Sequence, residues 1–99
     1  MTVRIYKVPS AGFSKMNQVI AQDHFARNGY TFRQGKSLSI QVDDYFLYVD
    51  APDAFFTAHE PEIMAVQGTT AVKGNEYDNI KTTIEAEEAA VATGIGMFD

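Results

Sequence analysis

The sequence has no cysteine and no tryptophan. The missing thiols exclude a disulfide scaffold, a thiolate zinc site and a cysteine nucleophile. Long apolar runs are also missing. The longest, Tyr45 to Val49, falls far short of the roughly 20 residues that span a bilayer. The start of the chain alternates polar and apolar residues and has no signal-peptide core, so the expectation is a cytoplasmic protein with no membrane partner. No glycine-rich phosphate loop is present, because Gly94-Ile95-Gly96 has no helix after it. No serine lies in a G-x-S-x-G setting.

Acids are scarce in one half and bases in the other. Residues 1–42 carry Asp23 as their one acid against six basic residues, a balance of +5, while residues 43–99 carry −10. The total of −5 therefore hides an asymmetry that can mark a charged partner, or two halves that neutralise each other on folding. With 99 residues and 45% hydrophobic content, there is material for a single domain spanning 1–99 and one core.

Thr2 to Val8 alternates and is rich in β-branched residues, which predicts a strand stopped by Pro9. A helix capped by Ser14 is expected to run to about Asn28, with Phe13, Met16, Val19, Ile20 and Ala26 on one stripe. Phe25 points away from that stripe. Three short strands follow at Tyr30–Arg33, Ser37–Val42 and Tyr45–Asp50, the last two pairing through an Asp43-Asp44 turn. Asp50 and Pro52 open a helix carrying Phe55 and Phe56, and Pro61 should break or kink it. Thr69–Lys73 reads as an edge strand and Asp78–Thr93 as the last helix. The order β-α-β-β-β-α-(β)-α predicts an α+β domain: an antiparallel β-meander of three to five strands with helices packed on it, and a short apolar tail at 94–99.

Period-two alternation puts Tyr45, Leu47 and Val49 on one sheet face and Phe46 and Tyr48 on the other. If the second face is open, Phe46 and Tyr48, with Met97 and Phe98 of the tail, form a surface for a protein partner or a second copy of the chain. The alternative is that the C-terminal helix covers this face. Non-catalytic protein interaction, with self-association into a homo-oligomer and a role as inhibitor or adaptor, is the main functional expectation. It calls for no cofactor and does not point to an enzyme. Small acidic inhibitors from mobile elements are similar in size and charge, though no motif is shared.

The tail Gly94-Ile95-Gly96-Met97-Phe98-Asp99 resembles the hydrophobic C-terminus of eukaryotic ribosomal stalk proteins, and the resemblance implies a docking peptide. The order α-β-β-β-α from Ser14 to Val66 is similar to that of double-stranded-RNA-binding domains. That family grips phosphates with lysines where this chain has Asp50-Ala51-Pro52-Asp53, and acids there repel phosphate.

Two further readings come from other classes. Arg27, Arg33 and Lys36 beside Tyr30 and Phe32 could bind nucleic acid, phosphates to the cations and bases to the rings. His24 and His59 each have carboxylates close by in sequence, at Asp23 and in His59-Glu60-Pro61-Glu62. An imidazole with two carboxylates can hold a metal or move protons, which gives a small enzyme or metal-binding protein centred on His24 or His59.

Overall fold

Thr2–Val8 forms β1 as its alternation predicts. Pro9 leads into a 3-10 turn at Ser10–Gly12 and then α1, Phe13–Ile20. The computed structural model describes residues 2–35 and 43–92, with side chains through residue 87. The expected strand Ser37–Val42, Lys36 and the tail lie outside the described residues.

The first helix does not continue to Asn28. Gln22 is extended, at φ −71° and ψ 149°, and a second short helix, α2, covers Asp23–Ala26. Phe25 supplies the reason. On an unbroken helix it would face away from Met16 and Ile20, whereas after the break it is fully buried with them. Burying a phenylalanine is worth about 2–3 kcal/mol, more than the roughly 1 kcal/mol net value of one backbone hydrogen bond.

The next strands are β2, Gly29–Gln34, and β3, Tyr45–Ala51. A helix, α3, spans Asp53–Met64 after Pro52, whose backbone is extended. It continues through Pro61, so the proline does not end it; a break or kink was expected there. Pro61 removes the hydrogen bond to the carbonyl of Thr57, and both residues are exposed, so water can satisfy that carbonyl. Continuing the helix buries Ile63 completely. The two-residue strand β4, Thr70–Ala71, lies within the expected edge strand. The last helix, α4, spans Gly74–Ala92, starting one turn earlier than the sequence pattern indicates.

The fold is α+β, with one antiparallel sheet in the order β2-β3-β1-β4. β3 is central, paired to β1 through Tyr6↔Leu47 and to β2 through Phe32↔Leu47. Both edges of β3 are thereby taken, so the hairpin expected between Tyr45–Asp50 and Ser37–Val42 is replaced by pairing with β1 and β2. Long-range β1–β3 pairing wins because it aligns two buried alternations: Tyr6 and Val8 with Leu47 and Tyr45, and Ile5 with Tyr48.

Each face of the sheet has its own core. On one, Tyr6, Val8, Leu47 and Val49 meet Met16, Ile20, Phe25, Phe55, Phe56 and Ile63 from α1, α2 and α3. On the other, Ile5, Phe46 and Tyr48 meet Val72, Ile80 and Ile84, the last two from α4. The +5 and −10 halves meet across this body. Arg4 pairs with Glu60, Lys7 with Asp44 and Glu76, and Arg33 with Glu87.

Candidate functional site

The helix break at Gln22 has a chemical consequence. It swings α2 over α3 and lays the His24 ring on that of His59, with centroids 3.9 Å apart and planes within 14° of parallel. Three contacts fix α2. Phe25 is fully buried and stands perpendicular to the Phe55 ring, with centroids 5.1 Å apart. The Asn28 side chain donates to the His24 carbonyl at 2.8 Å, and the Gln22 amide group donates to the Val19 carbonyl at 3.1 Å. The imidazoles rest on aromatic ground, with His24 4.9 Å from Phe25 and His59 5.0 Å from Phe55.

Glu62 closes the group. It stands one helical turn after His59 on α3, the spacing at which side chains are neighbours. Its Oε2 is 2.6 Å from His59 Nδ1, and its Oε1 is 3.4 Å from His24 Nε2. The Gln22 Nε2 donates to the same Oε1 at 3.1 Å. The hydrogen bond from His59 is the largest influence holding the Glu62 carboxyl below the usual carboxylate range. Burial opposes it, and Gln22 and His24 assist it. His24 Nε2 is buried and has no hydrogen-bond partner. The three side chains each offer a ligand atom within 4.8 Å of the other two.

Two imidazoles and a carboxylate suit the later first-row divalent metals; Mg²⁺ and Ca²⁺ prefer all-oxygen sets. Ligand atoms about 2.0–2.1 Å from a tetrahedral ion lie about 3.4 Å apart. The His24–Glu62 pair already stands at that separation. The 2.6 Å His59–Glu62 contact is a hydrogen bond, so a metal would have to displace the proton between them. The nearly parallel rings would also have to splay for their in-plane lone pairs to converge. All three side chains are partly exposed, at 31% for His24, 27% for His59 and 34% for Glu62.

The other residues singled out from sequence are placed differently. Phe46 and Tyr48 are core residues, 0% and 5% exposed beneath α4, and the Tyr48 hydroxyl donates to Glu85 at 2.8 Å. They are therefore not a free docking surface: α4 supplies the cover that a partner would have given. Met97 and Phe98 lie outside the described residues. The proposed nucleic-acid group is divided between the two faces of the sheet. Tyr30 and Phe32 are on the α1–α3 side, opposite Val49 and Leu47, while Arg33 is on the α4 side with its charge paired to Glu87. Phe32 stacks on Phe13 at 5.5 Å, Tyr30 is 38% exposed, and Arg27 is exposed beyond α2.

Of the carboxylates near the histidines in sequence, only Glu62 joins the cluster. Glu60 points to the opposite side of α3, where it accepts hydrogen bonds from Tyr6 and Arg4. Asp23 is exposed at the start of α2. Gln22 is the participant that the sequence pattern did not mark. No helix among the described residues is long and apolar enough to cross a membrane. The chain matches no protein-family model, no curated protein and no solved structure.

Proposed function

We propose that this chain is a small metal-binding protein that holds a late first-row divalent ion, of the Zn²⁺, Ni²⁺ or Cu²⁺ type, with His24, His59 and Glu62. The observation that carries the reading is the buried His24 Nε2, which has no hydrogen-bond partner and lies 3.4 Å from Glu62 Oε1. A buried ring nitrogen without a hydrogen-bond partner is costly, and a cation shared with the neighbouring carboxylate removes that cost. The Gln22 amide supports the arrangement by orienting Glu62, as outer hydrogen bonds orient ligands at metal sites. Three protein ligands leave a four-coordinate ion one position for water or another group.

The test is calorimetric titration of the protein with Zn²⁺ at neutral pH, beside H24A, H59A and E62Q. The expected result is one ion per chain, with affinity lowered about tenfold or more in each variant and the circular dichroism of each variant unchanged. Equal affinity in all four proteins, or no binding, would refute the reading.

A further inference from the structure

A cleft lies on the opposite side of α3, where β4 ends and leaves the first half of β1 beside Val72, Lys73 and Tyr77. We propose that this cleft binds a small organic monocarboxylate with an apolar body of a few carbons. The cleft holds about 460 Å³, within the range of small-molecule pockets. Its apolar walls are Val3, Ile5, Val72 and the Tyr77 ring, and its charged groups are Arg4, Lys73 and Glu60.

The charges decide the ligand class. Glu60 is already engaged, since its Oε2 accepts from the Tyr6 hydroxyl at 2.5 Å and from Arg4 Nη1 at 2.8 Å. Arg4 is held in place from two directions, by Glu60 and by the Phe56 ring 4.9 Å beneath its guanidinium. That contact with Glu60 uses Nη1, and a guanidinium offers five donors in a fixed fork, enough to receive a second carboxylate. Lys73 makes no hydrogen bond or ion pair with any described residue, yet it lies close enough to Glu60 to help hold that carboxyl below its usual range. The three groups together leave one net positive charge. One positive charge suits a monoanion, whereas a phosphate dianion would meet the Glu60 carboxylate with its second charge uncompensated. An amine would face Arg4 and Lys73. Tyr77 is fixed by its hydroxyl on the Val3 carbonyl at 2.9 Å, so its ring is a preformed wall.

The test is a titration of ¹⁵N-labelled protein with sodium hexanoate, followed by amide shifts, with hexylamine, 1-hexanol and inorganic phosphate as separate arms. The proposal predicts saturable shifts at Val72, Lys73 and Tyr77 with hexanoate alone. It predicts about twofold to fivefold weaker binding in K73Q, the loss of one exposed charge contact. Lys73 is exposed and makes no hydrogen bond or ion pair with a described residue, so K73Q should fold normally, and an unchanged thermal midpoint checks this. Absence of saturation with hexanoate, equal binding in K73Q, equal binding of 1-hexanol, or tighter binding of phosphate would each overturn the proposal.

Discussion

Glu60 ties α3 to β1, and its removal should be costly in a way that can be apportioned. The Tyr6 side chain is fully buried and its hydroxyl donates to Glu60. Replacing Glu60 with Ala leaves that hydroxyl unpaired, at a cost of about 1.5–3 kcal/mol. The Arg4 contact adds little, about 0.5 kcal/mol, because its two side chains are 45% and 31% exposed. E60A should therefore lose about 2–3 kcal/mol, which for a domain of this size lowers the thermal midpoint by about 10–20 °C. Y6F in the wild-type background should lose about 1–2 kcal/mol. In the E60A background it should lose almost nothing, because the orphaned hydroxyl is gone as well. Urea unfolding of the four proteins gives the coupling directly, and a value near 1.5 kcal/mol is expected. A coupling under about 0.5 kcal/mol would show that the short contact does not hold α3 in place.

The same pair sets a pH window. The Glu60 carboxyl is held below its ordinary value of 4.5, chiefly by the Tyr6 hydrogen bond. Its contribution is complete above the unfolded-state value and is lost as pH falls through the lowered folded-state value. The Tyr6 phenol is pushed above its ordinary value of 10.0, first by burial and then by Glu60. That contribution is complete below pH 10.0 and is lost as pH rises through the raised folded value. The coupling measured in the cycle should accordingly be flat between these limits and should shrink in acid.

Other consequences follow from the two cores and the metal cluster. Phe46→Ala should cost about 3–5 kcal/mol, since the ring is fully buried under α4. If the variant instead unfolds as wild type does and only its light-scattering mass changes, the ring faces a partner. Gly68→Ala should destabilise by about 1–3 kcal/mol, because Gly68 has φ +85° and an added Cβ would stand 2.7 Å from Pro9 Cγ. Wild-type stability in urea would contradict that backbone. Zn²⁺ affinity should fall steadily as pH is lowered, since the imidazoles must be neutral to coordinate. A pH-independent affinity would place the ion elsewhere.

Local pattern made most of the elements legible, and tertiary packing decided the rest. The alternation from Tyr45 to Val49 sorts side chains onto two faces whatever their partners are, so that reading needed no tertiary knowledge. Whether Phe46 and Tyr48 faced a partner or α4 depended on where a distant helix docks. Ile80 and Ile84 supply the matching apolar stripe. Phe25 was the visible anomaly in the first helix. Its misplacement on an unbroken helix signalled the break at Gln22, although not the direction in which α2 would turn. The pairing of His24 with His59 depends on that turn, and the addition of Glu62 depends on α3 continuing through Pro61; neither follows from spacing. The charge asymmetry was plain in composition, but its outcome, cross-pairing of Arg4, Lys7 and Arg33 with acids of the second half, is a property of the folded sheet.

The most direct test of the metal-binding account is the ¹⁵N resonances of the two imidazole rings during a Zn²⁺ titration at neutral pH. The account predicts that the ring nitrogens of His24 and His59 shift together and stop at one ion per chain. If either ring stays unmoved through excess zinc, the stacked pair is a packing arrangement and not a metal site.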